Sequence, residues 1–499
     1  MSQKLKFVLI LVLASIFFTV LVCFAIFKKR TLLVILVILL VGVIPATMIY
    51  FKSGKLENNK KLILETNTFT GKIYKVSEKL ERNRLDLYLN DVYIENGENK
   101  EEFFGNVYVI LYADGVDTSK IEIGRYVKIT NAQISCFTLN KGASDRDRSF
   151  VSRNNSASAF VFSYNVHFEN KIERSFRDKI KNKVYESFKN TDTFFTDIGY
   201  AMIFGESSIL EDDVYNVFKD AGVAHLLAVS GFHISVIVAF LSFVLDKLKV
   251  KKYIKIVIVG LILFVYMYLC SFSISVIRAS IMALLLLYAS NRNKEYDKLS
   301  ALSIAAIMIF FINPLQLFNL SFIFSFVSIL SIILLMPIFE RCFSKVFYNK
   351  LSSSLSLSLA VSFGVLVFQL AYFGYYPVLS FFSNLLTIPV MGGLFIYLII
   401  SVLIGPIFHI TEFLISGFGV CMKYVVRFNS LVANIGLNLT SGNVTSVVLG
   451  LWIVFMFIVS DYVFMNKKVR ICLAGVLGSL LVALMIWCKW TRQKQCGLI

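Results

Sequence analysis

Residues 254–270, IKIVIVGLILFVYMYLC, contain one charge in seventeen positions. A helix rises 1.5 Å per residue, so the run covers about 25 Å, close to the ~30 Å hydrocarbon thickness of a bilayer. Blocks 7–27 and 32–51 are as long and as apolar. Outside these blocks the composition says the same. The 499 residues are 57% hydrophobic and 16% charged, whereas soluble domains run near a quarter charged. The reading is a polytopic α-helical membrane protein, which excludes a soluble cytosolic enzyme or a secreted domain. The net charge of +18 must then sit in loops and interfacial segments, facing anionic lipid or a polyanionic substrate.

Several chemistries are excluded early. Only Cys136 of the eight cysteines lies in the long polar stretch, so no disulfide forms within that stretch, and no C-x-x-C pair occurs. Cys496-Gly-Leu-Ile matches a prenylation box by pattern, which adds nothing to a multi-span protein. The four histidines, at 167, 225, 233 and 409, cannot make an H-x-H-x-D-H zinc cluster. No G-x-x-x-x-G-K-[ST] is present, so ATP is not hydrolysed through a P-loop. No cofactor is expected.

Residues 1–51 read as a transmembrane helix pair with Lys28, Lys29 and Arg30 in the loop between, which the positive-inside tendency places in the cytoplasm. The following polar region, about 52–195, then lies outside the cytoplasmic membrane. Alternating runs at 68–76, 85–95, 106–112 and 126–137 predict four or five short strands over 52–168, with turns at Asn96-Gly97 and Asp114-Gly115. They suit a small extracytoplasmic all-β domain, OB-fold-like or a short sandwich. Aromatics in these strands suit base stacking, but core packing explains them more simply. Residues 171–189, with Ile172, Phe176, Ile180, Val184 and Phe188 at every fourth position, predict a basic amphipathic helix in the membrane interface, within an interfacial segment 169–224. A transmembrane domain of eight to ten helices follows over 225–490, with a tail at 491–499. All six prolines fall in or at the ends of apolar segments, which suggests broken helices.

The candidate site lies in 224–234, AHLLAVSGFHI, where His225, Ser230, Gly231 and His233 enter apolar sequence. Ionisable groups at membrane depth are costly and default to function. The two histidines are eight residues apart, near two helical turns, so one face is expected to carry both rings. Gly231 would let another helix or a substrate strand approach closely. Three readings stay open. They are metal binding without an acidic third ligand, a nucleophilic Ser230 with His225 or His233 as base but no Asp to orient it, and polar packing or pore lining. Arg278 is a second candidate, a phosphate contact if the cavity carries a polyanion, or a donor to a backbone carbonyl. Asn319, Gln369 and Asn384 add polar groups that would line a hydrated route or join helices.

These residues resemble the ComEC family of bacterial competence proteins. The core His225-Leu-Leu-Ala-Val-Ser-Gly-x-His-Ile234, the lead-in Phe204-Gly205-Glu206 with Ala221-Gly222, and Val276-Ile277-Arg278-Ala279 with Met282 are similar to family motifs. So are Phe318-Asn319-Leu320-Ser321-Phe322 and Ser383-Asn384-Leu385-Leu386 with Ile388-Pro389, in the family's order. The resemblance implies a channel passing single-stranded DNA across the cytoplasmic membrane, an OB-like outer domain, an extracytoplasmic DNA receptor and a separate cytoplasmic helicase or ATPase. The lipid bilayer and further copies of the chain complete the expected partners. The rival readings are a membrane-embedded hydrolase and a non-conducting scaffold of the uptake machinery. Phe232 stands where many relatives have Leu, and Asn319 where Gln is usual. Ile274 replaces a usual proline, so a weaker helix break is expected there. Many relatives carry a C-terminal metallo-β-lactamase-like domain; this chain is expected to be a short form without it.

Overall fold

A computed structural model describes residues 30–65, 68–79, 84–96, 99–112, 120–139, 144–188, 193–440, 444–462 and 466–495. The expected helix 7–27, Lys28 and Lys29, the turns at Gly97 and Asp114-Gly115, and Cys496 lie outside these residues. The second apolar block forms helix α1 (Arg30–Glu65), which continues well past residue 51 into polar sequence. Its polar end meets the sheet region. Asn59 Nδ2 donates to the Phe104 carbonyl at 2.7 Å, and its Oδ1 accepts from the Phe104 N–H at 3.1 Å.

The sheet has eight strands rather than four or five: β1 (Phe69–Lys79), β2 (Arg84–Asn96), β3 (Asn99–Glu102), β4 (Asn106–Tyr112), β5 (Arg125–Ile129), β6 (Gln133–Cys136), β7 (Asn155–Phe162) and β8 (Val166–Ile172). The expected strand 126–137 divides into β5 and β6 because Asn131 adopts φ 51, a left-handed conformation that interrupts extended backbone. Strand β7 escaped notice because its start, Asn-Ser-Ala-Ser-Ala, is small and polar yet buried on both faces. The strands pair in the order β6-β7-β4-β2-β1-β5-β8, with β3 on β2 and β4–β7 parallel. Ile73, Leu89, Val109, Ile129 and Ala159 belong to one core although β5 and β7 flank opposite sides of this path. A sheet whose flanks share a core must curl around it, and register shifts near Gly71 and Tyr74 in the β1–β2 ladder supply the bend. On the outer face a short helix, α2 (Asp145–Ser152), lays Phe150 over Tyr108. Farther along, Tyr112, Phe162 and Tyr164 remain exposed in a row, with ring centroids 5.9 and 5.8 Å apart.

The amphipathic stretch is divided too. Lys171 and Ile172 finish β8, and helix α3 spans Phe176–Phe188. Its buried side carries Asp178 and Lys181 beside Phe188, not apolar residues alone. Asp178 accepts from the Ser175 hydroxyl at 2.6 Å, and Lys181 forms an ion pair with Glu206. Helices α4 (Thr193–Phe204) and α5 (Asp212–Asp220) lead into ten further helices. These are α6 (Gly231–Lys247), α7 (Lys252–Leu269), α8 (Ile274–Asn291), α9 (Lys298–Ile312), α10 (Leu320–Phe343), α11 (Asn349–Phe373), α12 (Ser380–Phe408), α13 (Thr411–Ile435), α14 (Ser446–Val459) and α15 (Lys467–Gln495). Among the described residues, five of them (α7, α8, α10, α11 and α12) are long and apolar enough to cross a membrane, which fits a multi-pass membrane protein.

Pro314 and Pro377 lie in breaks between helices as expected, but the prolines inside α10 and α12 do not break them. Helix α10 runs through Pro337 and α12 through Pro389 and Pro406, as membrane helices permit when neighbours satisfy the freed carbonyl. Conversely, the break before Ile274 is complete without proline, because Ser271 and Phe272 take φ 55 and 51. The sheet region docks on the turn between α9 and α10. Asn313 Nδ2 and Gln316 Nε2 both donate to the Ser152 carbonyl, at 3.1 and 3.2 Å, and Leu315 packs with Leu56 and Val151.

The sheet holds a pH-sensitive tie. Glu95 on β2 accepts from Lys100 at 2.8 Å, from Lys128, and from Thr70 at 3.0 Å, and these cations hold its carboxyl down at about 2. A depressed folded value means this stability is full above the ordinary glutamate value of 4.5 and is lost as pH falls towards about 2. Glu95→Gln is therefore expected to flatten the acid-unfolding profile over that window, read by near-UV circular dichroism of the full chain; an unchanged profile would contradict the assignment.

Candidate functional site

The motif at 224–234 is not one helix. Ala224–Leu226 form a 3-10 turn, the backbone then extends, and α6 starts only at Gly231. His225 and His233 therefore do not share a helical face, which corrects the spacing argument. His225 projects, exposed, from a turn whose neighbours Val223, Leu226 and Leu227 are fully buried. Gly222, at φ +76, lets this turn press against Ser380 and Pro377 at the start of α12.

Ser230 and His233 form a capping box. Ser230 is the N-cap of α6, in extended conformation (φ −125, ψ 172). Its backbone N–H donates to His233 Nδ1 at 3.2 Å, and its Oγ lies 3.2 Å from the same nitrogen. A neutral ring nitrogen has one lone pair, and here the backbone amide engages it, so Nδ1 is not a free base for the Ser230 hydroxyl. His233 is 0% exposed and stands edge-on to Phe395 with centroids 4.4 Å apart. The box gives the start of α6 internal partners, while His233 Nε2, which then carries the ring proton, is buried without one.

Gly231 does permit a close approach, and the group that approaches is Arg278. A Cβ at Gly231 would lie 2.5 Å from Arg278 Nη2. Arg278 is 4% exposed; its Nη1 donates to the Ser325 carbonyl on α10, its guanidinium lies 5.9 Å from the Phe326 ring centre, and its Nε has no partner. Among the described residues no carboxylate pairs with it. Around it Ser280 Oγ and Ser325 Oγ, on the same two helices, are also buried without partners.

The other expected residues lie elsewhere. Asn319 caps α10, its Oδ1 accepting from the Ser321 N–H at 3.0 Å and its Nδ2 donating to Gln316 Oε1 at 3.0 Å. It belongs to the turn that holds the sheet region. Asn384 and Ser383 sit buried near the start of α12 with Asn384 Oδ1 and Ser383 Oγ unpartnered. Gln369 is half-buried on α11. The sequence reading missed Ser325, whose contribution is a backbone carbonyl without residue signature, and the Lys181–Glu206 pair. Glu206 is visible in the lead-in motif, but its partner stands on the basic face of the helix expected in the membrane interface.

With this geometry in place, the comparisons with known proteins decide the family. The sequence model described as Competence protein matches residues 202–466. The chain belongs to the Competence protein family. The match begins in α4 and ends at the start of α15, so it takes in the whole capping box and Arg278. ComE operon protein 3 of Bacillus subtilis (strain 168) is 27% identical over 194 residues, 39% of this chain and 24% of that protein. Recombination protein 2 of Haemophilus influenzae (strain ATCC 51907 / DSM 11121 / KW20 / Rd) is 22% identical over 215 residues, 40% of this chain and 27% of its own length. An uncharacterized protein of Aquifex aeolicus (strain VF5) is 30% identical over 171 residues, 34% of this chain and 40% of that protein. The aligned stretches thus span less than half the length of each relative. No solved structure matches the chain.

Two outcomes follow for this competence protein. Ser230→Ala should cost about 1 kcal/mol, the usual loss of a serine N-cap, measured as a small drop in thermal stability with function retained; complete loss of function in a normally folded variant would return Ser230 to nucleophilic duty. Lys181→Ala should cost on the order of 3 kcal/mol, because it strands a largely buried carboxylate. The double variant Lys181→Met with Glu206→Gln should recover much of that loss in the same melting assay.

Proposed function

We propose that this competence protein is the membrane channel through which one DNA strand enters the cell in natural transformation. Family membership supports DNA uptake, and the unpartnered hydroxyls and amides inside the helix bundle support a polar cargo. The observation that carries the transmembrane reading is the distribution of charge between the two ends of that bundle. The turn 313–319 faces the sheet region, and Arg177 of α3 reaches Ser271 at 2.8 Å in turn 270–273. With successive helices alternating direction, 374–379 and 436–445 fall at the same end, where β9 (Tyr375–Pro377) pairs with β10 (Asn438–Thr440). None of these four turns contains a lysine or arginine.

At the opposite end, segments 247–252, 292–298, 341–350 and 466–470 hold thirteen lysines and arginines, and only the turn at 409–410 has none. By the positive-inside rule this distribution supports a cytoplasmic placement of that end, with the sheet region outside. The strand would enter beside the sheet region, handed on by an extracytoplasmic DNA receptor, and leave towards a cytoplasmic ATPase or helicase that supplies the work. His225, exposed on its turn, and Asn384 are the further path residues in this reading; Gln369 is assigned with them.

The hydrolase reading loses support at His233 Nδ1, which the Ser230 amide already occupies. A scaffold is separated from a channel by deletion. In cells lacking this protein, labelled donor DNA should bind the surface and never reach the cytoplasm. Entry at a merely reduced rate would mean that the strand passes through something else.

A further inference from the structure

A guanidinium inside an apolar bundle needs a counter-charge, and Arg278 has none among the described residues. It has five N–H donors; one meets a neutral backbone carbonyl at Ser325, and Nε meets nothing. Leaving a buried cation so poorly matched costs several kcal/mol. The bundle places a second source of positive potential against it, the N-terminus of the seventeen-residue helix α6, whose first residue Gly231 touches Arg278 Nη2. The capping box engages the His233 backbone amide, so the amides of Gly231 and Phe232 are the ones at this helix start left without intrahelical acceptors. Gly231 has no side chain to shield them, and a Cβ there would collide with the guanidinium. The depth is also informative. Arg278 is the fifth residue of α8 and Ser325 the sixth of α10, both helices starting at the sheet-side end, so the pair lies about 6–8 Å of helical rise below that mouth.

We propose that Arg278 and the N-terminal amides of α6 form a seat for a phosphodiester monoanion, the first position at which an entering strand's backbone is held. This rests on the DNA-channel reading and deepens it. In the resting bundle the Ser325 carbonyl and the Phe326 face occupy the guanidinium. A phosphodiester offers two acceptor oxygens to its fork and the negative charge those groups lack, while the helix terminus takes up the remaining charge. Exchange of a neutral acceptor for an anion is favourable only where the anion arrives already partly desolvated, as at a narrow mouth. Arg278 is thereby a binding residue, and Gly231 a positioning residue that admits the guanidinium beside the helix start.

The test uses the full chain in nanodiscs of phosphatidylcholine, with fluorescent oligothymidylate carrying either a phosphodiester or an uncharged methylphosphonate backbone. Wild type should bind the charged strand, and Arg278→Gln should weaken that binding about tenfold or more, as loss of one partner from a desolvated charge pair does. Arg278→Lys should fall between, keeping the charge without the fork, and Gly231→Ala should resemble Arg278→Gln. The methylphosphonate strand should bind weakly and equally to all four proteins, which are compared only as monodisperse, normally melting samples. Equal binding of the charged strand by wild type and Arg278→Gln, or an equal loss for both strands, overturns the seat and leaves the channel reading standing. Failure of wild type to bind either strand overturns both. Retention of phosphatidylglycerol that depends on Arg278, without oligonucleotide binding, assigns the same phosphate chemistry to a lipid headgroup and likewise overturns the proposal.

Discussion

The contact between Arg278 and Gly231 constrains the centre of the helix bundle. A guanidinium enclosed by α6, α8 and α10 forces the facing residue to be glycine, since even a methyl group would collide with Nη2. With glycine opening α6, which offers no side chain of its own, the residue before it supplies the cap of this part-buried helix end. Ser230 and His233 do so reciprocally, and Phe395 on α12 fixes the imidazole edge-on. The motif residues thus form one chain of necessity, from the buried cation to the glycine, to the capping box, to the ring that packs the histidine. Chemistry by Ser230 is not needed to explain any of them.

The same argument shows what the sequence could disclose. The membrane class was legible because several long runs with almost no charge suit a bilayer, and the helices end at the charged clusters 246–252, 291–298 and 340–350. The Ser230–His233 spacing was visible but ambiguous, since three residues separate the partners of a capping box as readily as those of a catalytic pair. Lys181 was misplaced because periodicity reports the faces of a helix without its neighbours. Its ammonium is buried only because Glu206 arrives from twenty-five residues farther along. Proline misled for a related reason, as its cost depends on the surroundings of the freed carbonyl, and α10 and α12 continue through theirs. The strand β7 was missed because serine and alanine alternate without a hydropathy signal while both faces are covered.

Charge closes the argument. The sheet region, 52–195, is nearly balanced, with 24 lysines and arginines against 20 acids, and the sheet-side turns of the bundle carry no cation at all. A diffuse electrostatic trap at the entrance is therefore excluded as the source of affinity for a polyanion. The surface excess lies at the other end of the bundle, at 247–252, 292–298, 341–350 and 466–470. Single cations stand beside those turns, Arg148 over Phe318, Arg177 on Ser271 and Lys219 over Tyr375, and below them lies the buried guanidinium of Arg278 with the helix terminus beside it. Local fixed charge in a low-dielectric setting acts over a few ångströms and is little screened by salt, unlike a surface field. On the proposed channel reading, an entrance built this way would not concentrate DNA from solution. It would discriminate at contact, and another component would have to bring the strand to it.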